Sequence, residues 1–157
     1  MVQSIHYQDT EALQTLVSKS FGPWSNSVRV TQDMINQFAE LSGDHTWLHV
    51  DVERCSRESP FKATIAHGFL LLSMLSRFNS LPDVTTLVAG YRHMMNYGSD
   101  KLRFLGAVPV NSEIHARSRI KEVEFSPKKT KMVAETHLHI VGQESAALVY
   151  EMMFVYL

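Results

Sequence analysis

Thr64-Ile65-Ala66-His67-Gly68-Phe69-Leu70-Leu71-Leu72-Ser73-Met74-Leu75-Ser76-Arg77-Phe78 is apolar nearly all the way round, interrupted only by His67, Gly68, Ser73, Ser76 and Arg77. A helix without a broad polar face has to be buried, so the stretch predicts a helix over residues 64–78 that the rest of the chain encloses. Beyond it the period changes. Leu87–Tyr97, Lys101–Phe104, Glu113–Glu124, Lys131–Val141 and Ala146–Tyr156 read as strands, with the alternation clearest in Ile114-His115-Ala116-Arg117-Ser118-Arg119-Ile120 and Thr136-His137-Leu138-His139-Ile140. Pro109-Val110-Asn111, Ser126-Pro127-Lys128-Lys129 and Gly142-Gln143-Glu144 supply turns. The expected fold is therefore α+β, an antiparallel β-sheet wrapped around a long central α-helix.

Upstream, Gln8–Ser18 carries Leu13, Leu16 and Val17 at the spacing of a short amphipathic helix, which Phe21-Gly22-Pro23-Trp24 breaks. Asn26-Ser27-Val28-Arg29-Val30 alternates like a strand. Thr31 is a good N-cap for the helical pattern of Met34, Ile35, Phe38, Ala39 and Leu41, and Gly43 sits where a left-handed glycine would end it. Residues 44–63 are polar and read as irregular, with Pro60 as a breaker. No repeat, linker or low-complexity segment divides the chain, so residues 1–157 are expected to form a single domain.

Composition excludes several functional classes. A formal net charge of −1 argues against nucleic acid as the main partner. The single cysteine, Cys55, rules out an internal disulfide and suits a reducing cytoplasm. It lies among Glu53-Arg54-Cys55-Ser56-Arg57 with no nucleophile motif, so it reads as an ordinary thiol. Met1-Val2-Gln3-Ser4-Ile5-His6 lacks a signal peptide's basic and apolar regions, and no apolar run approaches the roughly 20 residues that span a bilayer. A cytoplasmic protein with no membrane partner is expected. Exposed edges on an antiparallel sheet usually find a partner, and the expected one is a second copy in a homodimer.

The chemistry centres on Phe38-Ala39-Glu40-Leu41-Ser42-Gly43-Asp44-His45-Thr46-Trp47-Leu48-His49, where a helix stops at a glycine and a carboxylate and an imidazole follow. Asp44 and His49 lie on the loop leaving that helix, where side chains can converge on a ligand. A carboxylate and a neutral imidazole can both accept hydrogen bonds from one water. Such a water can supply both the hydroxyl and the proton for hydration of a double bond, or take both in the reverse reaction. Imidazole suits this because it titrates near neutral pH. The plain alternative is an Asp that only bonds its own turn and a packed histidine.

Gly68 opens the buried helix, so its amide is among the first, unpaired N–H groups and could bind a carbonyl oxygen as that oxygen gains charge. Otherwise the glycine simply lets another element pack closely. His67 reads as a packing or supporting residue before it reads as a second base. Ser73 and Ser76 are expected to bond back to helix carbonyls, the default for serine there, with orientation of Asp44 by Ser76 as the alternative. The chain's eight histidines show no ligand spacing with a carboxylate or cysteine, so no metal is expected. No phosphate loop or dinucleotide glycine pattern is present.

The Phe38–His49 stretch resembles the signature of the MaoC-like (R)-specific enoyl-CoA hydratases, a hotdog-fold family, and Ile65–Ser73 resembles their central helix. The likeness is closer to the nodulation protein N branch. That branch shares the Asp-His-x-Trp-aliphatic-His form of residues 44–49, Thr64-Ile65-Ala66-His67-Gly68, Asn96-Tyr97-Gly98, and Arg103-Phe104 followed by Val108-Pro109-Val110.

The resemblance implies an enzyme of fatty-acid metabolism that hydrates trans-2-enoyl thioesters of coenzyme A or acyl carrier protein to (R)-3-hydroxyacyl thioesters. Asp44 and His49 would activate water, the Gly68 amide would polarise the thioester carbonyl, and Ser76 would support Asp44. Trp47, His67, Asn96, Gly98, Lys101 and Arg103 are the expected substrate-binding residues, the two basic ones because they suit phosphates. No cofactor is implied, coenzyme A being part of the substrate. Thr46-Trp47 stands where the characterised hydratases have Asn-Pro, and a bulky Trp47 would reshape an acyl tunnel. Two other readings follow: a non-catalytic acyl-CoA-binding module, and a thioesterase. The thioesterase would need a carboxylate on the central helix, and residues 64–78 hold none.

Overall fold

The computed structural model describes residues 4–80 and 87–157. In chain order the elements are β1 (Ile5–His6), α1 (Thr10–Gln14), β2 (Val28–Arg29), α2 (Gln32–Ser42), α3 (Trp47–Val50), α4 (Val52–Glu58), α5 (Gly68–Ser73), β3 (Val88–Ala89), β4 (Met94–Phe104), β5 (Glu113–Ser126), β6 (Lys129–Ile140) and β7 (Ala146–Tyr156). Five strands form one antiparallel sheet in the order β2-β5-β6-β7-β4, while β1 and β3 make a small parallel pair.

Period-two alternation decides what each face carries. Ile114 and Ala116 of β5, Leu138 of β6 and Leu148 of β7 turn to one face, where they meet Leu70, Leu71 and Met74 in the main core. The intervening residues, His115, Arg117 and Arg119 paired with His139, His137 and Glu135, face the other way. A second cluster under α1 gathers Leu13, Ile120, Met132, Phe154 and Tyr156.

Helix α2 is bounded as its sequence predicts. Thr31 Oγ1 accepts from the Met34 N–H at 3.3 Å, and Gly43 closes the helix in the left-handed conformation (φ 78°) with its N–H on the Ala39 carbonyl.

The helix expected over residues 64–78 is shorter. Thr64–Ala66 instead runs extended beside residues 108–110: the Ala66 N–H bonds to the Val108 carbonyl at 2.8 Å, and the Val110 N–H bonds to the Thr64 carbonyl at 2.9 Å. Regular helix starts at Gly68 and tightens into a 3₁₀ turn over Met74–Arg77. Leu70, Leu71 and Met74 are buried, whereas Phe69 is 61% exposed, so the helix is enclosed on one side only in the single chain.

Residues 44–63 are not irregular throughout: α3 and α4 lie there, with the Asp51 side chain capping the Arg54 N–H at 2.9 Å. Helices of one or two turns are too short for hydrophobic periodicity to announce them. The expected strands 87–97 and 101–104 are also redistributed. β3 ends at Ala89, residues 90–93 are not strand, and Met94–Tyr97 joins Lys101–Phe104 in one strand whose register shifts on either side of Gly98. No helix among the described residues is long and apolar enough to cross a membrane.

Candidate active site

The left-handed turn at Gly43 ends α2 and delivers Asp44 to the mouth of α3, which carries His49. The Asp44 carboxylate divides its two oxygens. Oδ1 accepts from the Thr46 N–H at 3.2 Å and the Thr46 hydroxyl at 2.7 Å, a local Asx-type turn. Oδ2 faces His49 Nε2 at 3.9 Å. The turn role and the site role therefore coexist on one side chain. The Thr46 hydroxyl, then the Thr46 N–H, hold the Asp44 carboxyl below its ordinary value against the opposing effect of burial.

The tautomer of His49 follows from the backbone. Its Nδ1 lies 2.7 Å from the Ile65 carbonyl oxygen, which can only accept, so in the neutral imidazole Nδ1 carries the proton and Nε2 presents a lone pair toward Asp44. The 3.9 Å separation exceeds a direct hydrogen bond and suits two acceptors sharing one donor between them.

His67 completes the group. It is buried, it stacks on His49 with ring centroids 3.8 Å apart, and its Nε2–H donates to the Asp44 main-chain carbonyl at 2.9 Å. Its Nδ1 is a buried acceptor without a partner. A cavity of about 400 Å³ is walled by Phe38, Ser42, Asp44, His49, His67, Gly68, Phe69 and Ser73. Gly68 begins α5, where no preceding turn supplies a carbonyl for its N–H. A Cβ there would lie 2.7 Å from the Phe104 ring, so close packing also requires glycine.

The fold thus gathers Asp44, His49, His67 and Gly68. It does not bring Ser76 to them: the Ser76 hydroxyl donates to the Ser73 carbonyl at 3.5 Å on the exposed 3₁₀ turn, the default for a helical serine, and Thr46 holds Asp44 instead. Trp47 lies outside the cavity wall, with the Arg54 guanidinium 4.2 Å over its ring. Asn96, Gly98, Lys101 and Arg103 lie on the exposed edge strand β4 and are not part of the cavity wall. There Lys101 Nζ approaches Glu151 at 3.7 Å, and an Arg103 N–H donates to the Leu102 carbonyl. Cys55 is buried under α3, and burial followed by Asp51 pushes its thiol up, away from thiolate chemistry.

Sequence reasoning missed Thr46, although its place two residues after Asp44 is a readable turn signal. It missed the Ile65 carbonyl because a backbone acceptor has no side-chain signature. It also saw no ligand spacing among the histidines, yet one ligand-type atom each from Asp44, His49 and His67 comes to lie within 4.8 Å of the others.

The family model described as "MaoC like domain" matches residues 22–143. The 3-hydroxyacyl-thioester dehydratase Z of Mycobacterium tuberculosis is 38% identical over 133 residues, spanning 84% of this chain and 85% of that protein. Nodulation protein N of Rhizobium meliloti is 37% identical over 132 residues, 83% of this chain and 79% of its own length. Among solved structures, the (R)-hydratase from A. caviae involved in PHA biosynthesis superposes with a TM-score of 0.67 at 24% identity, covering 87% of this chain and 96% of that one. The wrapped antiparallel sheet is accordingly a hotdog fold.

Proposed function

We propose, since this chain belongs to the MaoC-like domain family, that it is a hydro-lyase acting on trans-2-enoyl thioesters of coenzyme A or acyl carrier protein, giving (R)-3-hydroxyacyl thioesters reversibly. The observation that carries this reading is the pair Asp44 Oδ2 and His49 Nε2, two acceptors 3.9 Å apart, one of them fixed in its tautomer by Ile65. A water donating to both is made more nucleophilic. Its oxygen bonds to C3 of the enoyl group while its proton passes through the pair to C2, so one water is consumed and nothing else is needed. The Gly68 N–H, on the same cavity wall, receives the thioester oxygen as charge builds there. The buried Nδ1 of His67 is a further acceptor for the water or for a substrate hydroxyl.

The active form is a homodimer in this reading. Edge strand β4 carries exposed Met95, Tyr97 and Phe104, with Leu105 beside it and Phe69 across from it. A second copy would cover this apolar band and close the cavity.

Asp44→Asn and His49→Ala are each expected to cut hydration of crotonyl-CoA by about a hundredfold or more, with the thermal melt unchanged, as followed by loss of enoyl-thioester absorbance. Activity retained in both variants would sink the assignment, and tight acyl-CoA binding without turnover in the unmutated chain would favour the binding module. Since Asp44, His49 and His67 could also surround a cation, the assay is repeated after dialysis against a chelator. Undiminished rates are expected there.

A further inference from the structure

A second cavity, of about 350 Å³, lies on the opposite face of the sheet and shares no wall residue with the first. Its volume is at the small end of the roughly 300–1,000 Å³ usual for ligand sites. The indole of Trp24 stacks flat on His115 at 3.9 Å, lies under the Arg117 guanidinium at 4.6 Å, and meets His139 edge-on at 4.9 Å. The β6–β7 turn, Gly142-Gln143-Glu144, completes the wall.

Two wall residues carry buried polar atoms without partners. Arg117 Nε is one. The guanidinium rests on Phe21 and Trp24 and has no carboxylate partner among the described residues, whereas the next arginine on that face, Arg119, is fully engaged with Glu135. A part-buried cation without a counter-ion is costly, and the usual remedy is an anion. Glu144 lines the same cavity but stays exposed and makes no ion pair with Arg117.

The other orphan is Nε2 of His139, a residue 2% exposed. His139 Nδ1 lies 3.2 Å from the Gln143 carbonyl oxygen, so Nδ1 bears the proton and Nε2 is an acceptor. Burial, then the neighbouring Arg117 and His137, push this imidazole's pKa down against the opposing hydrogen bond to Gln143, and the lowered pKa favours the neutral form. The cavity therefore offers a cationic donor and, separately, a neutral acceptor. A simple carboxylate satisfies only the first. An oxyanion that also bears an O–H satisfies both.

The geometry points to a binding site for a hydrogen-phosphate group, held by the Arg117 N–H donors and donating its own hydroxyl to His139 Nε2. Free phosphate and a phosphomonoester monoanion share this chemistry. Sulfate has the same shape and no proton, which makes it the discriminating control.

The test uses the full chain carrying Trp47→Phe, so that Trp24 is the one remaining tryptophan, and follows its emission during titration at pH 6. Inorganic phosphate is expected to give a saturable change, with sulfate binding at least about tenfold more weakly for want of one charge-assisted hydrogen bond. Equal binding of sulfate, or no saturable response to phosphate, overturns the proposal without any variant of the site. Tighter binding of phenyl phosphate than of phosphate identifies an organic monoester as the source, and the reverse identifies the free ion. Arg117→Gln and His139→Leu, with melting curves checked, are each expected to weaken phosphate about tenfold or more. In His139→Leu the preference over sulfate should vanish, and a preference that survives there also overturns the proposal.

Discussion

Asp44 shows how one carboxylate serves two masters in a turn. Because Thr46 bonds Oδ1, the carboxyl is held ionised below its ordinary range, and Oδ2 is left to face His49. The sign of the pH effect follows. In the proposed mechanism hydration needs Asp44 ionised, so activity is expected to be retained as pH falls until the depressed pKa is crossed. Thr46→Val removes the hydroxyl donor while keeping the shape, so the acid limb of the kcat/KM profile for crotonyl-CoA is expected to move to higher pH. An acid limb that stays in place would show that Thr46 does not set the charge on Asp44. At this scale the sequence was legible where a distinctive residue type marks the position, as for Asp44, His49 and Gly68, which the fold brings to one cavity wall. It was mute where the partner is a peptide carbonyl, as at Ile65; its default for Ser76, a bond back to a helix carbonyl, is what the structure holds, whereas the support of Asp44 that the resemblance implied is not seen. The notion of Ser76 reaching Asp44 assumes a regular helix through residue 76, and the chain instead tightens into a 3₁₀ turn that keeps the hydroxyl on Ser73.

Among the elements, β5, β6 and β7 carry a row of charges on the face turned from the core. Burial works against ionisation of Glu135, but hydrogen bonds from Arg119 and His137 outweigh it and hold the carboxyl below its ordinary value. A depressed carboxylate stabilises the fold above its unfolded-state pKa and loses that contribution as pH falls through the folded one. Glu135→Gln is therefore expected to cost about 2 kcal/mol at neutral pH, and the difference should shrink on acidification below the carboxylate range. Urea melts at two pH values check both halves, and a cost that does not vary with pH would rule out the ion pair as its source. Strand periodicity made this row readable, since Ile114–Ile120 and Thr136–Ile140 alternate without a break. The helices were harder to read. Thr64-Ile65-Ala66 belongs to an extended segment paired with residues 108–110, and composition cannot tell a buried strand from a buried helix over so short a run.

For the molecule as a whole, the longest exposed edge is the surface on which the proposed dimer depends. An eleven-residue outer strand, β4, with Met95, Tyr97 and Phe104 in solvent is an invitation to pair. Tyr97→Lys is expected to weaken self-association about tenfold or more and to lower turnover in proportion to the dimer lost, as read by sedimentation and by activity at several protein concentrations. A monomeric unmutated chain with full activity would refute the dimer requirement. The α+β arrangement, a buried helix followed by a run of antiparallel strands, was legible from periodicity, but the short helices α3 and α4 were not. The outer-face cavity was not legible either, because Trp24, His115 and His139 are far apart in the chain, and only the β5–β6 register and the loop before β2 bring them together.

The acceptor that sets the proton on His49 is the carbonyl of residue 65, and that carbonyl is held in place by main-chain bonds on either side, Ala66 to Val108 and Val110 to Thr64. No side chain encodes it. Substitutions at position 65 can therefore drift through the apolar residues while the imidazole keeps its working tautomer. A mutational scan of the site would pass over one of its most consequential atoms, which is inherited from the backbone and invisible to genotype.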